Sequence, residues 1–424
     1  MSFEFKSAAV VGLGKSGLAA IDLLLSRGVK VAAYDEKPDP AVVEKLAARG
    51  VTVSAGIDAA KLRAAEVVVV SPGVPLSKPE LQRLNVIGEI ELAWRCLPPG
   101  AGPVLAVTGT NGKSTTTALL GELVKQSGRK TFVGGNLGRP FCEACSEKYD
   151  VFVVELSSFQ LEGISTFSAR GAAILNLSPD HLDRYSSHLA YGQAKARILI
   201  NPQPGGFAVI NADDPDTVEL AVHARVPVHW FAISQRDEFL QRYRLVNRAL
   251  RGDHNLLNAM AAVKLAELQG ISRDAIQKGL DAFPGLPHRL EFVRELHGVE
   301  WINDSKATNV DSSLVALKAL PGNIWLIAGG KGKGAPYAPM VEASQGKVKG
   351  VLTIGDDAPR LEAAFGHGFQ VLACGTLQKA VEEARKRSTP GDTVLLSPAC
   401  ASYDQFKNFE HRGASFKALV LALT

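Results

Sequence analysis

Residues 103–117, which read PVLAVTGTNGKSTTT, constrain the fold of this chain more than any other segment. Residues 104–107 are a short apolar run of the strand type, and residues 119–124 supply the apolar face of a following helix. A strand, a glycine-containing turn and a helix N-terminus together bind anions, because the first backbone N–H groups of the helix point at the ligand. Lys113 adds a positive charge, and the hydroxyl of Ser114 can bind Mg²⁺. The segment therefore predicts a phosphate-binding loop for ATP in an α/β domain.

The loop departs from the most familiar phosphate-binding pattern, G-x-x-x-x-G-K-[ST], because only two residues separate Gly109 from Gly112. A Gly-Lys-Ser sequence also occurs by chance in turns that bind nothing. The strand before the loop and the amphipathic helix after it favour phosphate binding over that alternative.

Length, charge and cysteine content limit the class of protein. The chain has 424 residues, enough for two or three domains. Its net charge is +4, and the sequence contains no basic run of the kind that binds nucleic acid. Its five cysteines are scattered, and Cys142 and Cys145 have no second pair with which to bind a metal. No stretch reaches the roughly 18 apolar residues of a membrane span, so we expect a cytoplasmic protein with reduced thiols.

The N-terminal region alternates strands and helices. A strand at residues 8–11 leads into G-x-G-x-x-G at residues 12–17, and the next strand ends at Asp35. This spacing matches a dinucleotide-binding fingerprint, in which the diphosphate lies on a helix N-terminus and the acid binds a ribose. A nicotinamide-dependent dehydrogenase is therefore one alternative. The turn at residues 71–73 follows a further strand and would lie at the same edge of the sheet, where ligands collect.

The Pro/Gly-rich residues 95–103 are typical of a linker to the region that carries the phosphate loop. Glu155 ends a strand of the buried type and is a candidate Mg²⁺ ligand. His181 follows the next strand at the same edge and is a candidate ligand or catalytic group, although Mg²⁺ prefers oxygen. Asn255 opens a later helix and is a candidate for capping or for contact with a base edge. The helical pattern alone predicts that Lys195 is a solvated lysine on the helix surface.

A second boundary falls at residues 283–287, where proline and glycine interrupt both helix and strand patterns. Strand-like and helical segments alternate beyond it, which predicts another mostly parallel sheet. Three polar loops follow strands there, namely residues 303–309 (NDSKATN), 329–334 (GGKGKG) and 397–409 (SPACASYDQFKNF). A glycine-rich loop with two lysines either binds phosphate or carboxylate or is a solvated hairpin.

The chain resembles the Mur ligase family of ATP-dependent amide-bond-forming enzymes in segments that span nearly all of it. In order, these segments read GTNGKST, ELSSFQL, SPDHLDRY, GDHNLLNA, GLPHRLE, NDSKATN and SPACASYDQFKNFEHRG. The phosphate loop and the Glu and His segments are shared with the related folylpolyglutamate synthetases, and the short loop is usual in this family. NDSKATN and SPACASYDQFKNFE resemble more specifically the branch that adds D-glutamate to UDP-N-acetylmuramoyl-L-alanine in peptidoglycan precursor synthesis.

The resemblance implies an α/β fold of three domains. Residues 1–92 would form a Rossmann-like domain that binds the UDP of the substrate instead of a dinucleotide. Residues 93–285 would form a P-loop ATPase-like central domain with a mostly parallel sheet, and residues 286–424 a Rossmann-like domain that binds the amino acid. The resemblance further implies ATP as co-substrate and two Mg²⁺ sites. We expect a monomer with no nucleic-acid partner and no membrane span.

The resemblance also assigns roles to individual positions. The nucleotide substrate would contact Gly14, Lys15, Ser16, Asp35, Glu36, Lys37, Ser71, Gly73, Asn136, Ser157 and Gln160. ATP would contact Gly109, Thr110, Asn111, Gly112, Lys113, Ser114, Thr115, Asn255, Asn258, Arg289 and Asp304. Glutamate would contact Lys306, Thr308, Lys333, Ser402 and Phe409. The metal ligands would be Ser114, Glu155, His181 and Lys195, and the catalytic residues Lys113, His181, Lys195 and Arg289.

In this comparison Lys195 matches a carbamylated lysine, in which CO₂ turns the cation into an anion able to bind metal. That implication reverses the interpretation that the helical pattern alone gives. Closure about residues 95–103 and 284–287 would exclude water from the site.

Three alternatives stay open at this point. A dehydrogenase would explain residues 12–17 but leaves the phosphate loop without a role. A nucleotide-binding scaffold would need Lys113 but not Glu155, His181 and Lys333 together. A family member that adds another amino acid, such as L-glutamate, would keep the whole mechanism.

Overall fold

The computed structural model describes residues 5–181 and 184–424, so Leu182 and Asp183 of the SPDHLDRY segment lie outside the described residues. The chain divides into two units. The first runs to Leu245 and resumes at His254–Ala282, and the second consists of Val246–Asp253 and Phe283–Thr424. Within the described ranges the chain forms three sheets, two in the first unit and one in the second.

Strands and helices alternate in the N-terminal sheet. They are β1 (Ser7–Val11), α1 (Lys15–Ser26), β2 (Lys30–Asp35), α2 (Pro40–Ala47), β3 (Thr52–Ala55), α3 (Ala59–Leu62), β4 (Val67–Val70), β5 (Val86–Gly88) and α4 (Glu89–Cys96). The strands are parallel and lie in the order β3-β2-β1-β4-β5. Because β1 is central, the turn after it opens at the carboxyl edge of the sheet, as the G-x-G-x-x-G sequence predicts.

The second sheet carries the phosphate loop. Its elements are β6 (Val104–Thr108), α5 (Lys113–Lys125), β7 (Thr131–Gly135), β8 (Val151–Glu155), α6 (Ser158–Glu162), β9 (Gly171–Ile174), α7 (His188–Ala196), β10 (Phe207–Asn211), α8 (Pro215–Leu220), β11 (Val228–Phe231), α9 (Arg236–Arg242), α10 (Asp253–Leu268) and α11 (Arg273–Ala282). The strands are parallel, in the order β11-β10-β9-β6-β8-β7. The central strands β6, β8 and β9 are buried along their whole length, as expected of strands covered on both faces.

The first two sheets share one hydrophobic core, which extends from Phe5 to Leu220. Trp94 of α4 packs edge-on against Phe167, with ring centroids 5.7 Å apart. The carboxylate of Glu91, also on α4, accepts hydrogen bonds from the backbone around Thr166. These contacts join α4, which precedes residues 95–103, to the sheet that follows them. We therefore expect the two sheets to move together and not to rotate about residues 95–103.

The third sheet forms the core of the second unit. Its elements are β12 (Glu291–Leu296), β13 (Val299–Asn303), α12 (Val310–Ala319), β14 (Ile324–Gly329), α13 (Ala338–Ser344), β15 (Val348–Ile354), α14 (Ala358–Phe365), β16 (Gln370–Gly375), α15 (Leu377–Arg387), β17 (Thr393–Leu396) and α16 (Phe409–Ala422). The order is β12-β13-β17-β14-β15-β16, and only the pair β12–β13 is antiparallel among the described strands.

The predicted α/β fold with mostly parallel sheets is confirmed, and two details differ from the sequence-based expectation. The pair β12–β13 is not predicted. The strand predicted at residues 172–177 ends at Ile174, and beyond it the N–H of Leu177 donates to the side chain of Asp214 instead of to a neighbouring strand. The domain boundaries at residues 92 and 285 stay predictions. None of the helices in the described ranges is long and apolar enough to cross a membrane.

Candidate active site

The phosphate loop joins the end of β6 to the start of α5. Gly109 and Gly112 adopt φ of 153° and 82°, and a Cβ on Gly112 would lie 2.1 Å from Oδ1 of Asn258. Glycine is therefore required at position 112 both by conformation and by space. The Lys113 ammonium donates to the backbone oxygens of Gly109 (2.9 Å) and Thr110 (2.8 Å), which places its charge over the loop.

Asparagines from distant parts of the chain hold this loop. Asn176 accepts from the backbone N–H of Asn111 at 2.7 Å and donates from Nδ2 to the Asn111 oxygen at 3.0 Å. Asn258 is buried on α10, where it accepts from Thr116 Oγ1 (3.3 Å) and donates to Asn255 Oδ1 (3.2 Å). Asn176 is not among the predicted site residues, although a lone polar residue near the end of the apolar run at residues 172–177 is a signal that could have found it.

Lys195 is buried beneath the phosphate loop, with 1 % of its surface exposed. Its Nζ donates to the Gly109 oxygen at 2.7 Å and lies 4.4 Å from the ring centroid of Tyr191. Burial, together with the nearby ammonium of Lys113, lowers the pKa of Lys195 to about 7. The solvated position that the helical pattern predicts for this lysine is therefore wrong.

Glu155 ends β8, next to the strand that leads into the phosphate loop. Its Oε1 accepts from Asn136 Nδ2 at 2.6 Å, while its Oε2 is buried and has no hydrogen-bond partner among the described residues. A buried carboxylate oxygen without a partner is costly, and a bound cation would remove that cost. The described residues contain no group of three or more His, Cys, Asp and Glu side chains placed to bind a metal, so any cation needs ligands of other kinds.

His181 adopts a left-handed backbone conformation, with φ of 55°, and its side chain is exposed. Its ring lies 4.7 Å from the ring of Phe159 and 6.1 Å from that of Tyr191. The Tyr191 hydroxyl in turn lies 3.2 Å from Thr110 Oγ1 in the phosphate loop. The structure thus brings His181 to the same edge of the sheet as the loop and Lys195.

The turn after β1 is held by residues predicted to bind the nucleotide substrate. Ser71 Oγ donates to the Gly12 oxygen at 2.8 Å, and Asp35 accepts from the backbone N–H of Leu13 at 2.8 Å. The Asp35 carboxylate therefore fixes the turn itself. The other positions predicted for this substrate in the N-terminal sheet are exposed or half-buried at the same edge; they are Gly14, Lys15, Ser16, Glu36, Lys37 and Gly73.

Ser157 and Gln160 form a capping box at the start of α6. Gln160 Oε1 accepts from the Ser157 N–H at 3.0 Å, and the Gln160 N–H donates to Ser157 Oγ at 3.2 Å. The two residues predicted to contact the substrate therefore also fix the start of the helix that follows Glu155.

In the second unit Asp304 is buried just after β13. It accepts from Ser397 Oγ at 2.8 Å and from the Leu290 N–H at 3.2 Å. Burial raises the pKa of Asp304 to about 7 despite these hydrogen bonds. Arg289 is exposed between His288 and Leu290, which both adopt positive φ, of 64° and 43°.

The loops predicted to bind glutamate meet at one edge of the third sheet. Lys331 of the glycine-rich loop and Ala401 of the 397–409 loop exchange backbone hydrogen bonds of 2.9 and 3.1 Å. Ser402 is buried, and the other predicted glutamate contacts are exposed or half-buried in the same loops; they are Lys306, Thr308, Lys333 and Phe409.

Models of the Mur ligases match three parts of this chain. The MurD-like N-terminal domain matches residues 6–90, the middle domain residues 107–266, and the glutamate ligase domain residues 288–400. The UDP-N-acetylmuramoylalanine–D-glutamate ligase of Myxococcus xanthus is 57 % identical over 100 % of both chains. The chain belongs to the Mur ligase family. A ligase of the same name from Anaeromyxobacter dehalogenans is 50 % identical over 97 % of this chain and 96 % of its own.

Solved structures of Mur ligases share the fold. The UDP-N-acetylmuramate-alanine ligase MurC of Thermotoga maritima aligns with a TM-score of 0.60 and 19 % identity, over 99 % of this chain and 100 % of its own. MurF of Acinetobacter baumannii aligns with a TM-score of 0.60 and 17 % identity, over 92 % of this chain and 91 % of its own. Membership of this family excludes the dehydrogenase alternative for residues 12–17.

Proposed function

We propose that this Mur ligase joins D-glutamate to UDP-N-acetylmuramoyl-L-alanine, with conversion of ATP to ADP and phosphate. The observation that carries the proposal is the 57 % identity to the Myxococcus xanthus ligase over the whole of both chains. The product would be a cytoplasmic precursor of peptidoglycan.

The proposed reaction begins with activation of a carboxylate, which is a poor acyl donor. An oxygen of the L-alanine carboxylate attacks the γ-phosphorus of ATP, the bond to the bridging oxygen breaks, and ADP leaves. The amine nitrogen of D-glutamate then attacks the acyl carbon of the acyl phosphate, and inorganic phosphate leaves with the electron pair. The amine must lose one proton, and His181, exposed at the site edge, is a candidate acceptor only in a state in which its ring does not bind the metal ion proposed below.

The first step brings two anions together, so cationic groups must cancel their repulsion. Lys113 carries its ammonium over the phosphate loop. We propose that Arg289 contacts the γ-phosphate, and that Asn255 and Asn258 lie by the adenine. The ribose contact of Asp304 belongs to the same proposal, although both of its carboxylate oxygens have partners within the protein.

Mg²⁺ fits the residues around the loop. The unpartnered Oε2 of Glu155 and the hydroxyl of Ser114 would hold one ion, and phosphate oxygens and water would complete its ligands. Such an ion would withdraw charge from the transferred phosphoryl group.

The second proposed ion would be held by His181 and by a carbamate on Lys195. The family resemblance supports this modification, and the burial of Lys195 favours the neutral amine that adds to CO₂. Two-dimensional NMR of the enzyme in ¹³C-bicarbonate tests this assignment. We expect a carbamate resonance from the wild-type enzyme and none from Lys195→Arg.

ATP-dependent phosphate release, measured with UDP-N-acetylmuramoyl-L-alanine and a panel of single amino acids, tests the function. Release that requires both the nucleotide substrate and D-glutamate is expected. Release with L-glutamate or a diamino acid instead would keep the mechanism and change the specificity. Tight ATP binding without release for any pair would favour a nucleotide-binding scaffold.

A further inference from the structure

Arg412 is a buried cation in the first turn of α16, with 1 % of its surface exposed. Its hydrogen bonds within residues 5–181 and 184–424 all go to neutral oxygens. The carboxylates of Asp404 and Asp304 act on it only through space, without a direct ion pair in the described ranges. Burial of an arginine in this way is unusual, because the desolvation cost is high. We therefore expect Arg412 to have a specific structural or functional role.

The guanidinium of Arg412 joins two loops of the second unit. Nε donates to Ser305 Oγ at 3.0 Å, and one terminal nitrogen donates to the backbone oxygens of Ser305 (2.9 Å) and Cys400 (3.1 Å). The other terminal nitrogen donates to the oxygens of Cys400 (3.1 Å) and Ala401 (3.4 Å). These are charge-assisted hydrogen bonds in a planar arrangement that only arginine provides.

Two of the three residues that Arg412 contacts stand next to a residue predicted to bind glutamate. Ser305 precedes Lys306, and its Oγ also donates to the backbone oxygen of Phe409 at 2.9 Å. Ala401 precedes Ser402 in the same way. A displacement of either loop would therefore move these neighbouring side chains directly.

The glycine-rich loop is linked to the same guanidinium through Ala401. Ala401, which Arg412 contacts, exchanges two backbone hydrogen bonds with Lys331. A Cβ on Gly330 would lie 2.3 Å from the Ala401 oxygen and 3.1 Å from a terminal nitrogen of Arg412. The backbone thus passes close to the cation at this point, and the loop continues from there to Lys333.

We propose that Arg412 is a positioning residue for the amino-acid site, one that holds the loops at residues 303–309, 329–334 and 397–409 at a fixed spacing. The inference rests on the proposed function, because the roles of Lys306, Lys333 and Ser402 belong to it. Burial lowers the pKa of Arg412 only to about 10, so the guanidinium stays charged at neutral pH and keeps its charge-assisted hydrogen bonds.

Arg412→Lys tests this inference, since lysine keeps the charge but cannot join both loops. We expect the KM for D-glutamate to rise about 10- to 100-fold, because a displacement of about 1 Å at a binding group has effects of that size. The KM for the nucleotide substrate should stay within about twofold of wild type, since the positions predicted to contact it all lie in the first unit and the hydrogen bonds of Arg412 to the described residues all lie in the second. An unchanged KM for D-glutamate would overturn the proposal.

Arg294→Lys is the matched control. Arg294 also donates to backbone oxygens of the second unit, at Val420 (3.3 Å), Leu421 (3.1 Å) and Leu423 (3.2 Å), and none of these acceptors lies in the three loops. This variant should lose thermal stability without a change in the KM for D-glutamate. A similar rise in that KM for both variants would mean that general destabilisation, and not loop position, is responsible.

Ser305→Ala keeps the inference testable if Arg412→Lys does not fold. It removes the hydroxyl that accepts from Arg412 and donates to Phe409, and we expect a rise of about threefold to tenfold in the KM for D-glutamate. No rise would overturn the proposal. A wild-type enzyme that releases phosphate only with a different amino acid would refute the proposed function, and the variants would then be compared with that amino acid.

Discussion

Replacement of Glu91 by glutamine should destabilise the first unit more than any change at an exposed ion pair. The Glu91 side chain has no exposed surface, and its carboxylate accepts from the backbone N–H groups of Ser165 (2.8 Å), Thr166 (3.0 Å) and Phe167 (2.9 Å). It also accepts from Arg95 Nε at 2.8 Å. Glutamine would bring a donor NH₂ group into a position surrounded by donors.

The size of the effect follows from the pKa of this carboxyl. Burial alone would raise the pKa of Glu91, but hydrogen bonds from Thr166, Ser165, Arg95 and Phe167 outweigh it and lower the pKa from 4.5 to about 2. Each pKa unit corresponds to about 1.4 kcal/mol, so the charged form stabilises the folded state by roughly 3 kcal/mol at pH 7. Because the folded pKa is depressed, this contribution is present above about pH 4.5 and is lost as the pH falls towards about 2. At about pH 3 it should be about 1.4 kcal/mol.

Hydrogen exchange in the whole chain measures this effect. Peptides from β6 and β8 report the free energy of opening of the first unit. Glu91→Gln should lower that free energy by roughly 3 kcal/mol at pH 7, with a smaller difference at about pH 3. Glu147→Gln, which breaks an ion pair whose side chains are 57 % and 52 % exposed, should have no measurable effect. A difference below about 1 kcal/mol at pH 7, or one that does not shrink in acid, would refute the role given to Glu91.

Three further substitutions test the site. Lys113→Ala should lower the rate of phosphate release by several orders of magnitude, and an unaffected enzyme would refute the assignment of the phosphate loop. Gly112→Ala should weaken ATP binding more than about tenfold in a calorimetric titration, because its Cβ would displace Asn258 and the backbone conformation disfavours alanine. Cys142→Ser should leave the turnover within about twofold of wild type, since the thiol is buried against the backbone of Glu89. A large loss would give this cysteine a role that the proposed mechanism does not contain.

Local patterns in the sequence are sufficient to predict the strand–turn–helix of the phosphate loop and the fold class. The geometry of the loop is defined by consecutive residues, because a strand, a glycine turn and a helix N-terminus in this order bring backbone N–H groups together at one point. Alternation of buried strands and amphipathic helices likewise predicts mostly parallel sheets. The antiparallel pair β12–β13 is not predicted from the sequence, because β12 is only partly buried at the sheet edge and lacks a continuous apolar run.

Side-chain environments depend on residues far apart in the chain. The helical pattern places Lys195 in solvent, whereas the structure buries it against Gly109, and no periodicity within α7 indicates that contact. Glu91 and Arg412 look like ordinary helix residues until the donors and acceptors from other elements are known.

The sequence by itself therefore determined the α/β class, the strand–turn–helix geometry of the phosphate loop and, through the order of its motifs, the family. The tertiary structure alone decided which charged groups are buried and what compensates them: Lys195 by Gly109, Glu91 by the backbone near Thr166, and Arg412 by the oxygens of two loops. The physical reason is that the cost of a buried charge depends on every group around it, and these groups come from distant parts of the chain. The hydrogen bonds of Glu91 to Ser165, of Lys195 to Gly109 and of Arg412 to Ser305 join positions 74, 86 and 107 residues apart, beyond the reach of any local pattern.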